Sequence, residues 1–229
     1  MLYFVATPIG NLKDISFRAI EILKEVDLIL CEDTRHSKRL LDHYEISKPL
    51  SSFHAHSLEK KEFEILEKLQ NGQKIAYISD AGSPGISDPG YRLAKMCRLN
   101  NIDLQVIPGA SAVISSVTGS GLPCDKFLFY GFLPKKKGRQ TLIKSFENLP
   151  YSIVFYESPF RILKTLNQLL ELLSDRYISV QRELTKLHEE VFTGKISEAI
   201  EKFEKQKPKG EFSIVLAPKD FIYESIHTS

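Results

Sequence analysis

The chain has 229 residues, 42% of them hydrophobic and 26% charged, with a formal net charge of +2. That length can bury a sizeable core in one large domain or two small ones, while so mild a charge leaves any nucleic-acid contact to local patches. Cys31, Cys97 and Cys124 form no C-x-x-C pair, which argues against a zinc or disulfide framework and fits a reducing cytoplasm; no apolar segment approaches membrane-spanning length, and no charged leader precedes the first apolar run.

Leu2-Tyr3-Phe4-Val5-Ala6 is a continuous apolar run, as expected for a strand buried on both faces of a parallel sheet. Asp14 is placed to cap a helix in which Ala19, Ile22, Leu23 and Val26 share one face. A second strand covers 28–31, followed by a short basic helix over 37–44. Phe63, Leu66 and Leu69 mark another helix, ended by Asn71-Gly72. A strand over 75–78 opens into a glycine-rich loop, a helix over 91–99 and a strand over 104–107. Asp88 is expected to cap that helix, with Pro89 at its first position. Gly119-Ser120-Gly121-Leu122-Pro123 reads as a linker, dividing the chain into domains 1–118 and 119–229. Beyond it, 126–132, 152–156, 178–181 and 212–216 read as strands and 139–148, 159–173 and 195–205 as helices. The tail over 221–229 is expected to be loosely held. The expected fold class is α/β: two α/β domains, the first with a mostly parallel sheet and the second with a mixed one.

In the parallel domain, ligand sites are expected at the carboxyl ends of the strands. Four loops sit there: Thr7-Pro8-Ile9-Gly10-Asn11, Glu32-Asp33-Thr34-Arg35, Ser79 to Gly90, and Pro108-Gly109-Ala110-Ser111-Ala112. The third carries Asp80 and Asp88 and no basic residue. A loop that cradles phosphate uses backbone N–H groups with a lysine or a helix N-terminus, and a carboxylate facing phosphate would repel it. The composition favours a small organic ligand with hydroxyls or a positive charge. Asp80 also suits a turn by accepting backbone N–H bonds, a role compatible with ligand contact.

Together these segments resemble the tetrapyrrole-methylase family of S-adenosylmethionine-dependent methyltransferases. The resemblance continues through Gly131-Phe132-Leu133-Pro134, Phe155-Tyr156-Glu157-Ser158-Pro159, Arg182-Glu183-Leu184-Thr185-Lys186 and Lys209-Gly210-Glu211-Phe212, so it covers nearly the whole chain. Within the family it is nearest to members that methylate the ribose 2′-oxygen of a cytidine in small-subunit ribosomal RNA. It implies that S-adenosylmethionine lies in a cofactor cleft between the two domains, bordered by Pro8, Ile9 and Gly10 and surrounded by Asp80, Ala81, Gly82 and Ser83. Ser111 and Ala112 would add backbone contacts, with Tyr156, Leu184 and Phe212 closing the adenine side. It also implies a homodimer acting on ribosomal RNA or the assembled small subunit. Two departures fall in segments associated with the substrate: Phe160 stands where family members often have His, and His54-Ala55-His56-Ser57 where they often have His-x-His-Asn. Many members also extend further at the C-terminus.

Methyl transfer to a hydroxyl needs a proton acceptor and a charge that orients the substrate. Glu32, Asp33 and Glu183 are the candidate carboxylates, Asp33 or Glu183 being favoured, with Arg35 or Lys186 as the orienting cation. The competing reading makes Asp33–Arg35 and Glu183–Lys186 structural ion pairs. RNA contact is expected from Arg35, His36, Lys38 and Arg39, and from Lys135, Lys136, Lys137 and Arg139. Lys202, Lys205, Lys207 and Lys209 are assigned to an ordinary exposed helix end. His54 and His56 lack further ligands for a metal, and no metal is expected. The alternative functions are methylation of a tetrapyrrole precursor and a non-catalytic RNA-binding or ribosome-assembly factor.

Overall fold

A computed structural model describes residues 1–54, 58–205 and 208–223, the side chains of Leu58 and Glu59 excepted; His56, Ser57, Lys207 and the tail beyond 223 lie outside them. The chain divides into two compact units, 1–111 and 112–229.

The first unit is a five-stranded parallel sheet in the order β3-β2-β4-β1-β5. Its strands are β1 (Leu2–Val5), β2 (Leu28–Cys31), β3 (Leu50–Ser52), β4 (Ile75–Ile78) and β5 (Leu104–Ile107). Alternate side chains enter opposite cores. Tyr3, Val5, Ala76 and Ile78 pack against Ala19 and Leu23 of α1 (Phe17–Glu25) and Leu41 of α2 (Thr34–His43). Leu2, Phe4, Ile75 and Tyr77 pack against Ile65 and Leu69 of α3 (Leu58–Gln70) and Leu93, Met96 and Cys97 of α4 (Gly90–Leu99). Neighbouring strands β1 and β4 therefore send their chains to opposite faces: β1 through α1 to β2, β4 through α4 to β5. That divergence is the topological switch point at which parallel sheets hold ligands.

The second unit has a mixed five-stranded sheet in the order β6-β7-β10-β8-β9, parallel only between β6 and β7. Its strands are β6 (Phe127–Phe132), β7 (Ser152–Glu157), β8 (Tyr177–Arg182), β9 (Glu190–Lys195) and β10 (Phe212–Leu216). One face packs on α6 (Arg139–Ser145), α7 (Ile162–Leu173) and α8 (Ile196–Glu204). The other face takes α5 (Ala112–Gly119), whose Val113 and Val117 meet Leu122, Val154, Val215 and Ala217.

That packing moves the unit boundary to 111/112 from the expected 118/119, because α5 belongs with the second sheet. The helix itself is not anticipated from its sequence. Ala-Val-Ile-Ser-Ser-Val-Thr-Gly is rich in β-branched and hydroxyl residues of modest helix propensity, and burial against β7 and β10 sustains it. Two edge strands, β3 and β9, are also additions, since neither carries a clear apolar run. Ser16, not Asp14, caps α1, its hydroxyl accepting the Ala19 N–H at 3.1 Å; Asp14 lies in a preceding 3-10 turn. Helix α2 starts three residues earlier than expected because Asp33 caps it. At the C-terminus, Phe221 and Tyr223 pack against Tyr177, so these residues are held rather than loose.

Candidate active site

The β1 and β4 loops are locked together. Thr7 N–H donates to Gly82 O at 2.9 Å and Gly82 N–H to Thr7 O at 3.1 Å, while the Thr7 hydroxyl donates to Ser79 O. Gly82 has φ +78°, and a Cβ there would meet Ile9 Cγ2 at 3.2 Å and stand within 4 Å of Ala110 O and Ser111 Cα. Three of the four predicted loops thus converge on Gly82. The β2 loop joins them through Asp80, whose Oδ1 accepts the Asp33 N–H at 3.2 Å. Pro8, Ile9, Gly10, Asp80, Ala81, Gly82, Ser83 and Ser111 accordingly belong to one cluster of strand-end loops, and Ala112 opens α5 directly after it.

The acidic loop is pinned from below by Tyr77 of β4, acting through Asp88. Asp88 Oδ1 accepts the buried Tyr77 hydroxyl at 3.1 Å and the Gly90 N–H at 2.7 Å, and its Oδ2 accepts the Gly85 N–H at 2.7 Å. The expected cap is displaced by one residue: Pro89 occupies the cap position and Gly90 the first helical one, while Asp88, just before the cap, accepts the Gly90 N–H. A Cβ on Gly90 would lie 2.6 Å from Tyr77 Cε1, which explains the glycine. Burial, reinforced by the Asp88 carboxylate, pushes the Tyr77 phenol far up, so it stays a donor. Tyr77→Phe is expected to cost about 1.5–3 kcal/mol, the usual range for a hydrogen bond to a charged group, as a lower urea midpoint at unchanged m.

The four carboxylates at these loops differ in environment. Glu32 is half-buried, and desolvation together with Asp88 and Asp80 raises its pKa to about 7. Asp33 moves the other way: the Arg35 backbone N–H, accepted at 2.8 Å, holds its carboxyl below the ordinary range. Asp33 therefore serves chiefly as the α2 cap. Arg35 is 93% exposed by side chain, 3.6 Å from Asp33. With Lys38 and Arg39 it lies on the outer face of α2, while Ser37, Leu40 and Leu41 face inward; Lys38 pairs with Asp42 at 2.8 Å.

In the second unit, Glu183 is not a free base. Burial alone would raise its pKa, but the Glu211 N–H and the Lys186 ammonium hold it below the ordinary value. Lys186 is itself desolvated, yet its pKa is raised by the Glu211 and Glu183 carboxylates at 2.9 and 3.0 Å. Glu183 and Thr185 sit at φ +52° and +63°, a strained turn held by this triad and by Gly210, where a Cβ would strike the Glu183 side chain. Leu184 lies between them, half-buried. Tyr156 is half-buried against Phe129 and Phe132, and burial pushes its phenol up to about 12. Phe212 is 2% exposed inside the core against Phe203, so any contact at that position falls to its backbone.

Lys135, Lys136 and Lys137 are exposed as expected, but Arg139 is not with them. It is 5% exposed, donating to Gln168, Thr165, Pro134 O and Glu157. Its assignment to RNA is corrected: the guanidinium is committed to a buried network. Arg139 precedes Ile143 and Phe146 at helical spacing, which places it on the apolar face, a signal available in the sequence.

The fold and loops define the class: the family profile described as Tetrapyrrole (Corrin/Porphyrin) Methylases matches residues 1–200, and the chain belongs to that family. Among its relatives, the ribosomal RNA small subunit methyltransferase I of Thermotoga maritima is 52% identical over 219 residues, covering 96% of this chain and 99% of the relative. The protein of the same name from Synechocystis sp. is 48% identical, over 95% of this chain and 78% of its own. A crystal structure of diphthine synthase superposes with a TM-score of 0.74 at 16% identity, covering 94% of this chain and 89% of that one, a likeness of fold.

Proposed function

We propose that the protein transfers a methyl group from S-adenosylmethionine to the ribose 2′-oxygen of a cytidine in small-subunit ribosomal RNA. The observation that carries this reading is the acidic loop cluster at the switch point of the parallel sheet, in a chain 52% identical to a small-subunit ribosomal RNA methyltransferase. The residues fit the cofactor: Gly82 leaves the space beside Ile9 open, Asp80 and Glu32 suit a cation, and no basic side chain stands on the Ser79–Gly90 loop.

When bound, the cofactor supplies an electrophilic methyl carbon on a sulfonium. In the first unit Pro8, Ile9, Gly10, Ala81, Gly82, Ser83 and Ser111 would hold and orient it. Held in near-attack geometry, the ribose oxygen gains about 7–11 kcal/mol of barrier reduction from positioning alone. For the ribose oxygen to accept that methyl group, its hydroxyl proton would have to pass to a carboxylate of the protein. Glu32 suits that role better than Asp33 or Glu183, because a pKa of about 7 matches a general base near neutral pH. Arg35 carries the charge that orients RNA, with His36, Lys38 and Arg39 beside it. Lys186 contributes chiefly by holding the Glu183 turn. A cytoplasmic homodimer belongs to the same reading, and a monomeric mass in light scattering would count against it.

The test offers purified protein, with methyl-labelled cofactor, both small ribosomal subunits from cells lacking this modification and a porphyrinoid acceptor. Label is expected in the ribosomal RNA; label in the porphyrinoid alone would overturn the assignment. Cofactor binding without transfer to either would support a non-catalytic factor.

A further inference from the structure

The ends of β6, β7 and β8 and the start of β10 lie along one edge of the second sheet, since β6, β7 and β8 run the same way and β10 opposes them. That edge carries two side chains that burial would ordinarily claim. Phe160, after β7, is 95% exposed and Leu187, after β8, 94%; Phe132, at the end of β6, is 58% exposed. The same edge carries Lys135, Lys136 and Lys137, all exposed and with no ion pair among the described residues.

These groups stand on rigid supports. Arg161 ties the two loops beside β6 and β7, donating to Leu133 O at 3.2 Å and pairing with Glu157 at 2.7 Å. Arg139 holds Pro134 O at 3.0 Å from beneath the lysine run. The β8 turn is braced by Lys186 between Glu183 and Glu211. One buried arginine, one partly buried arginine and a strained turn thus fix loops whose tips expose rings and ammonium groups.

We propose that this edge binds an unpaired RNA segment, with Phe160 as the platform on which a base stacks, Phe132 as a second ring, and Lys135, Lys136 and Lys137 on the backbone phosphates. Exposed rings interleaved with cations are what single strands require, because each unpaired base offers a π-face and each nucleotide a phosphate. A duplex hides its bases and would use the lysines alone. A protein partner is the less suited occupant, because three adjacent unpaired ammonium groups would have to be desolvated with it. The inference rests on the RNA reading above and adds the form of RNA and the residue that senses it.

The test measures anisotropy of a fluorescein-labelled oligocytidylate of about a dozen nucleotides on the full chain, beside a duplex of equal length. Phe160→Ala is expected to weaken single-strand binding about 5- to 150-fold, the effect of losing one stacked base, with duplex affinity and the salt slope unchanged. Phe160→His should retain most of the affinity. Replacing Lys135, Lys136 and Lys137 by alanine should flatten the slope of log K against log salt by about 2, at roughly 0.7 per phosphate. Binding of S-adenosylmethionine should be the same in all variants. Unchanged single-strand affinity in Phe160→Ala, equal losses on duplex, or no wild-type binding to the oligomer would overturn the inference. Methyl transfer to ribosomal RNA by the wild type separates the two readings: if it persists while Phe160→Ala is silent, only this inference fails, and if the oligomer binds but no RNA is methylated, only the proposed reaction fails.

Discussion

Glu32→Gln is expected to lower kcat for methyl transfer about 100- to 10,000-fold, the range for loss of a general base, with a smaller effect on cofactor affinity. The amide matches the carboxyl in shape, so the loops should keep their geometry. The pH profile supplies the sharper readout. With a pKa of about 7, Glu32 is protonated below neutrality and cannot accept the ribose proton, so wild-type kcat should rise with pH through about 7. The variant should lose that rise. The same shift has a stability consequence of opposite sense. The folded state holds the Glu32 proton up to about 7 while the unfolded chain releases it near 4.5, so this group's contribution falls as pH rises between those values. If Asp33→Asn removed the ascending limb and Glu32→Gln left it intact, the proton would belong to Asp33.

Glu157→Ala should be among the most destabilising single changes, costing about 3–5 kcal/mol, because it strands a charge in the interior. The Glu157 side chain is fully buried at the end of β7. Its Oε1 accepts from Arg161 at 2.7 Å and from the Ser158 N–H at 2.8 Å, and its Oε2 accepts from the Thr165 hydroxyl at 2.7 Å and lies 3.5 Å from Arg139. Burial lowers the Arg139 pKa and Glu157 opposes that shift, so removing the carboxylate leaves a desolvated guanidinium without its counter-charge. Pairing Glu157→Met with Arg139→Met should recover much of the loss, since a buried pair replaced on both sides is often neutral. A loss below about 1 kcal/mol in the single variant would place Glu157 in water rather than in the core.

These two carboxylates show where the sequence is legible and where it is not. Strands β1, β2 and β4 were readable because both their faces are buried and their apolar runs are unbroken. Helix α5 was not, because its stability comes from Val154 and Val215, far away in sequence. The loops around Gly82 were readable as a set, since glycine, proline and aspartate at strand ends imply tight, chemically engaged turns. Their ranking was not. Asp33 and Glu32 are adjacent carboxylates in the same motif, and only the fold shows one capping α2 and the other sinking toward Asp80 and Asp88. Tyr77 looked like core, and it is core, but its hydroxyl holds the loop. For Arg139 and Glu157 the clues were present: helical spacing with Ile143 and Phe146, and strand alternation with Ile153 and Phe155. Lys135, Lys136 and Lys137 precede Arg139 so closely that its helical face is masked by their charge.

The central claim is tested most directly by the identity of the methylated nucleoside. Small-subunit RNA incubated with the protein and labelled cofactor, then digested to nucleosides and resolved by mass spectrometry, should yield 2′-O-methylcytidine. A label on a base, or none in RNA alongside a methylated porphyrinoid, would contradict it.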